Sequence, residues 1–208
     1  NQWLSQNVIK HKVEGFSIVN ISLKPPGKPP GDISALQMNE LSKISEVFSC
    51  GELRVTHEQN LILPHIKNSQ LFQLWKKLKV IGLSTPNIGL ISDTICCPGM
   101  DYCALATARS IPISQKISNF FNDYSIQKKI GNLKIKISGC INACGHHHVG
   151  NIGILGLDKN GEESYQITLG GSATENASIG EIVGPSFPEN ELLSAIKKIL
   201  ATYQKNKK

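Results

Sequence analysis

The sequence contains no apolar run of the roughly 20 residues that a membrane-spanning helix requires, and its amino terminus has neither the basic nor the apolar segment of a secretory signal. No membrane partner and a cytoplasmic location are therefore expected. Arginine is nearly absent, since Arg54 and Arg109 are the only arginines among 22 basic side chains. The formal charge of +6 rests on lysine, with a dense run at Lys197, Lys198, Lys205, Lys207 and Lys208 that reads as a solvated helix end. A basic stripe interleaved with base-stacking aromatics is missing, so no nucleic-acid partner is expected. Six cysteines in 208 residues are too sparse for a disulfide scaffold, and reduced thiols are the expected state. No methionine precedes Met38 in a chain that begins at Asn1, which leads us to expect a fragment or a processed product. Repeats are lacking too, apart from the short KPPGKPPG stretch, which reads as a spacer.

What is present suits one large domain or two small ones, because a chain that is 40% hydrophobic and 18% charged can bury a substantial core. GFSIVNISL alternates as a half-buried strand does, and a Pro/Gly loop follows. Ile33, Leu36, Leu41, Ile44 and Phe48 then recur at helical spacing and stop at Gly51. Cys50, at the end of that pattern, reads as a small buried side chain. ELRVTHE and LILPHI form a hairpin around Gln59 and Asn60, and Leu71, Leu74, Trp75, Leu78 and Val80 mark a second helix before Gly82. The order strand, helix, strand, strand, helix over residues 15 to 82 is most of a ferredoxin-like unit. A helical pattern from about Asp101 to Phe121 comes next, and the strand NLKIKIS follows it. NIGILGLD, SYQITLGG and SIGEIVGPSF then read as three strands with turns such as DKNG, and Pro188 and Asn190 open a last helix. The expected fold class is α+β, with residues 1–85 a ferredoxin-like half domain and residues 86–208 an α/β domain.

Five cysteines fall into two clusters. Five residues separate Cys97 from Cys103 and three separate Cys140 from Cys144, with 36 between the pairs. Four soft thiolates suit zinc or an iron-sulfur cluster, and a five-residue gap fits zinc knuckles less well. Gly139 and Gly145 bracket the second pair and let the chain wrap closely. Cys103 is expected in the first turn of the predicted helix, where free amides favour a thiolate.

The stretches ICCPGMDYCALATARSIPISQK and SGCINACGHHHVGNIGILGL resemble those of the siroheme-containing sulfite and nitrite reductases, with CPGMDYCALATARSIPI closer to the sulfite branch. HKVEGFSIVNISLKPPG and GELRVTHEQNLILP extend the resemblance over nearly the whole chain, which looks like the second half of an assimilatory sulfite reductase hemoprotein. That resemblance implies a 4Fe-4S cluster on Cys97, Cys103, Cys140 and Cys144, with the Cys144 sulfur also ligating a siroheme iron. It implies six-electron reduction of sulfite to sulfide, with nitrite reduction to ammonia as the alternative. Implied partners are the amino-terminal half of the same hemoprotein and an electron donor, either a flavoprotein subunit or a ferredoxin.

Cys96 is an addition to the family pattern, and Cys97 is preferred as the ligand because it preserves the five-residue gap. Asn142 is a candidate donor to cluster sulfur or loop backbone, and Thr56, Gln59 and Asn60 are candidate siroheme contacts. Turn chemistry alone also accounts for Asn60. Arg54 and Arg109 fit either cofactor contacts or ordinary ion pairs. Consecutive residues point apart, so His146, His147 and His148 are not expected to converge on one ion, and no catalytic residue is assigned. A reading from another class is a zinc-stapled binding module using the same four thiolates.

Overall fold

A computed structural model describes residues 2–207, which divide into two units. One runs to Pro25 and resumes over Gly31–Ile88, and the other takes Pro26–Pro30 and the chain from Gly89 onward. No helix among the described residues is long and apolar enough to cross a membrane.

The first unit comprises α1 (Gln2–Asn7), β1 (Val8–Lys10), β2 (Phe16–Ile21), α2 (Ala35–Phe48), β3 (Arg54–Val55), β4 (Leu61–Lys67) and α3 (Leu71–Val80). Its antiparallel sheet has the order β1-β2-β4-β3. Pro64 lies inside β4, a central strand, where a residue without an N–H cannot complete the ladder. The pairing answers with a bulge: Ser17 faces Ile66 and Val19 faces Leu63, so two residues of β4 oppose one of β2. The His65 N–H at this bulge donates to Ser49 Oγ instead, at 3.2 Å.

Ser34 and Gln37 form a capping box at the start of α2, and Leu41, Ile44 and Phe48 turn its inner face onto Val19, Ile21, Leu63 and Ile66. Leu74 and Leu78 of α3 complete this core. Two expected core positions on these helices are corrected, because Leu36 and Val80 lie at helix ends beyond the covered stripe and are exposed. Cys50 is also exposed, not buried: it sits past the last helical residue in a left-handed turn (φ 55°) that carries its side chain away from the core.

The second unit contains β5 (Ile95–Cys96), α4 (Ile111–Phe120), α5 (Tyr124–Ile130), β6 (Ile135–Ser138), β7 (Ile152–Lys159), β8 (Glu162–Leu169), β9 (Glu181–Ile182), β10 (Phe187–Pro188) and α6 (Glu189–Asn206). The sheet order is β10-β8-β7-β6-β5, with β9 also on β8. β5, β6 and β7 are parallel, whereas β7 and β8 form a hairpin whose Asn160-Gly161 turn has both residues at positive φ. Ile135, Ile137, Ile154 and Ile167 share one core with Ile113 and Ile117 of α4 and Leu192, Ile196 and Leu200 of α6. SIGEIVGPSF is not one strand. Gly184, at φ 68°, breaks it into β9 and β10, which pair with successive parts of β8.

Leu78→Ala is expected to destabilise the chain by about 2–5 kcal/mol, the range for truncating a buried leucine. Leu36→Ala should stay within about 0.5 kcal/mol, as surface substitutions do. Urea unfolding of both variants checks the contrast, and equal effects would contradict the assigned helix faces.

Candidate metal centre

Cys97 directly follows β5, and Cys140 lies two residues beyond β6. Because these strands are adjacent and parallel, both cysteine pairs leave the sheet at its carboxyl edge, where open α/β sheets place their ligands. The ladder continues one step past β5, with Cys97 N–H donating to Ile137 O at 3.1 Å.

Gly139 joins the two loops. Its carbonyl accepts from the amides of Thr107 and Ala108 at 2.9 and 3.0 Å, and its own N–H donates to Cys97 Sγ at 3.1 Å. A side chain here would put Cβ 2.6 Å from Ala108 O and 2.9 Å from Gly99 Cα, so only glycine allows the approach. Within the first loop, Cys103 N–H donates to Gly99 O at 2.9 Å. Gly145, just past Cys144, is equally constrained, because a Cβ would overlap Ile137 O.

Cys97 and Cys140 are buried, Cys103 is half-buried and Cys144 is exposed. The four predicted ligands thus occupy two hydrogen-bonded loops, while Cys50 belongs to the other unit. Among the described residues, no three His, Cys, Asp or Glu side chains stand close enough to enclose a metal ion by themselves. Cys96 is buried in the hydrophobic core, and its thiol donates to Cys97 O at 3.1 Å. Cys103 is not in a helix, which corrects one expectation. The amides of Thr107 and Ala108 are spent on Gly139, so residues 102–110 remain in turns and α4 starts only at Ile111.

Asn142 is exposed, with its carbonyl 4.0 Å from Cys144 Sγ. The three histidines diverge: His146 is exposed in a left-handed conformation, His147 is buried, and their rings meet His148 edge-on at 6.4 and 5.5 Å. Burial, and secondarily the neighbouring His148, hold His147 below its ordinary value, and its buried Nδ1 finds no protein partner.

In the other unit, Thr56 and Asn60 close the β3–β4 hairpin. Thr56 Oγ1 accepts from the amides of Glu58 and Asn60, while Asn60 Oδ1 accepts from Leu23 N–H at 3.2 Å. Gln59 takes the left-handed position of the turn at φ 57°. Both arginines are engaged with carboxylates: Arg54 pairs with Glu52 at 2.5 Å, and Arg109 lies 3.8 Å from Asp101 and 3.6 Å from Glu163.

Sequence reasoning missed the residues that secure the first loop. Buried Tyr165 places its hydroxyl 2.9 Å from Arg109 O and 2.8 Å from Glu163 Oε2, and Glu163 also accepts from Arg109 N–H at 2.8 Å. Burial, followed by the Glu163 carboxylate, pushes the Tyr165 phenol well above its usual range. The alternating pattern of SYQITLGG placed Tyr165 on a strand face, but nothing in it signals a partner on a loop more than 50 residues earlier.

Residues 90–208 match the family described as the nitrite and sulphite reductase 4Fe-4S domain, and residues 11–81 match the nitrite/sulfite reductase ferredoxin-like half domain. The chain belongs to the nitrite and sulfite reductase family, a family of oxidoreductases. The cofactors of that family are a 4Fe-4S cluster and a siroheme. Among relatives, the chloroplastic ferredoxin–nitrite reductase of Spinacia oleracea is 29% identical over 91% of this chain and 32% of its own length. The NADPH sulfite reductase hemoprotein beta-component of Bacillus velezensis is 26% identical over 82% of this chain and 30% of its own. The chain therefore spans about a third of the length of these curated relatives. The Mycobacterium tuberculosis NirA protein shares the fold at a TM-score of 0.79 and 21% identity, covering 97% of this chain and 38% of that one. Dissimilatory sulfite reductase I does so at 0.73 and 12%, covering 92% and 63%.

Gly139→Ala is expected to separate the cysteine loops and abolish iron uptake in anaerobic reconstitution, measured as iron and labile sulfide per chain. Uptake at the wild-type level would show that the junction tolerates a methyl group. His147 sets a pH dependence. Its folded pKa lies below the ordinary 6.5, so beneath about pH 6.5 the unfolded chain binds more protons and stability falls, levelling off below the folded pKa. Denaturant unfolding at several pH values should show this slope in the wild type and a shallower one in His147→Gln.

Proposed function

We propose that the chain is the carboxy-terminal half of an assimilatory sulfite reductase hemoprotein. In this reading Cys97, Cys103, Cys140 and Cys144 hold the 4Fe-4S cluster, and the Cys144 sulfur also reaches the siroheme iron. The observation that carries it is the junction at Gly139, which ties two loops, each bearing a cysteine pair, together at the carboxyl edge of the sheet. The donor set fits the group: four soft thiols, a backbone N–H already aimed at one sulfur, and glycines where the chain must pass closely. Cys144, the exposed member, is the one whose sulfur is accessible to a second iron.

When bound, the cluster and siroheme supply electrons singly and an iron site at which sulfite is taken through six electrons to sulfide. The chain's own part is to hold these groups. Gly139 N–H stabilises charge on Cys97 Sγ, while the Tyr165–Glu163–Arg109 contacts fix the far end of the first loop. Asn142 lies beside Cys144 and is the proposed donor to cluster sulfur or loop backbone. Thr56, Gln59 and Asn60 are proposed siroheme contacts on the family resemblance alone. Since Arg54 and Arg109 already pair with carboxylates, the cations that bind an anionic substrate are assigned to the amino-terminal half of the same hemoprotein. The electron donor is a flavoprotein subunit or a ferredoxin.

Reduction of nitrite to ammonia is the second reading, favoured by the ferredoxin–nitrite reductases among the relatives at 25–29% identity. The text CPGMDYCALATARSIPI favours sulfite. Full-length enzyme with both cofactors should contain about four irons and four labile sulfides per chain in this domain. It should show the higher kcat/KM with sulfite when both anions are assayed with one chemical reductant. A preference for nitrite would assign the second reading, and one zinc without labile sulfide would overturn both.

A further inference from the structure

Ser110 stands at the N-cap position of α4, where a serine ordinarily accepts an amide of the first turn, yet its hydroxyl caps nothing. It is fully buried, with Oγ 2.8 Å from Cys97 O and 3.4 Å from Cys97 Sγ. Gly99 has no room for a side chain because Ser110 fills that space, so the hydroxyl is held in place. The carbonyl of Cys97 has a second donor in the buried thiol of Cys96, at 3.1 Å.

A hydroxyl has one proton to donate and lone pairs to accept. With Cys97 as a thiol, every group is satisfied at once: Cys97 S–H donates to Ser110 Oγ, and Ser110 O–H donates to Cys97 O. A metal-bound Cys97 has lost its proton, and its sulfur only accepts. Ser110 serves that sulfur only by turning its proton away from the carbonyl, which would orphan a buried acceptor if nothing else reached it. Cys96 does reach it.

We propose that Ser110 and Cys96 form a paired hydrogen-bond switch on Cys97. On ligation the Ser110 proton turns from the Cys97 carbonyl to its thiolate, and the Cys96 S–H holds the carbonyl. This rests on the ligation of Cys97 proposed above. The bound sulfur then accepts from two donors, Gly139 N–H and Ser110 O–H, and hydrogen bonds to ligand sulfur raise the potential of a cluster by stabilising its more negative reduced state. Cys96, an extra thiol beside a ligand, is accordingly a positioning residue and not a ligand.

The test is a redox titration of the cluster, followed by electron paramagnetic resonance, in full-length enzyme carrying Ser110→Ala, Cys96→Ala or Cys96→Ser. Both alanine variants should lower the midpoint potential, Ser110→Ala by the larger amount. Cys96→Ser, which keeps a donor, should match the wild type. Cysteine acting only as core filling would leave the potential unmoved in all Cys96 variants. Wild-type potentials in the alanine variants at full iron content would overturn the switch, as would equal shifts in Cys96→Ala and Cys96→Ser. If Ser110→Ala fails to take up iron, the two Cys96 variants decide the matter alone. Failure of the wild type itself to hold four irons would instead overturn the ligation of Cys97.

Discussion

The second unit depends on the peptide at Gly139. One carbonyl takes two amides from the first cysteine loop, one N–H goes to the Cys97 sulfur, and the missing side chain lets three stretches of backbone close on one another. Its height above the sheet is fixed by the parallel register of β5 and β6, in which Cys96 faces Ile137. A change of register would carry Cys97 away from Gly139 and leave Thr107 and Ala108 without an acceptor. Gly156 extends the same contact into β7, since a Cβ there would fall 2.6 Å from the Ala108 side chain. Small residues on three successive layers thus set how closely the cysteine loops lie over the strands.

Much of this fold is legible in the text. The Asn160-Gly161 turn, the apolar stripe of α6 and the alternation of β2 each state a local rule that the tertiary structure obeys. The cysteine spacing points to two loops, and the structure joins those loops at Gly139. Failures occur where a local signal is overruled by a distant partner. Residues 101–110 carry a helical pattern, but their amides belong to Gly139, a residue reached only through the pairing of β5 with β6. Ser110, which falls inside that pattern, turns its hydroxyl to a cysteine carbonyl instead. LILPHI reads as a strand and is one, Pro64 being accommodated by the bulge and by the Ser49 hydroxyl that takes the His65 N–H. Leu36, Val80 and Cys50 misled for a simpler reason: apolar spacing cannot tell where the covering layer stops.

The three consecutive histidines show how one short segment carries different environments. The turn at residues 147–149 lies on the sheet at Gly153, where His147 O and the Thr168 hydroxyl occupy the room a side chain would need. That contact buries His147 while His146 projects outward. The stretch after Cys144 is therefore anchored by its middle histidine, which limits how far the exposed cysteine can travel from its partner Cys140.

The unequal lengths of the strand connections also set what each pairing in the second unit costs in chain entropy. β7 and β8 pair across a two-residue turn, whereas 13 residues separate β6 from β7 and 38 separate β5 from β6. Closing a longer loop sacrifices more chain entropy, although the cost rises only slowly with length. The two-residue strand that carries Cys96 into Cys97 thus closes the longest of these three connections with the fewest paired residues, at the edge of the sheet. The first cysteine loop therefore rests on a pairing of only two residues, and the hydrogen bonds at Gly139 supply the attachment that so short a ladder lacks.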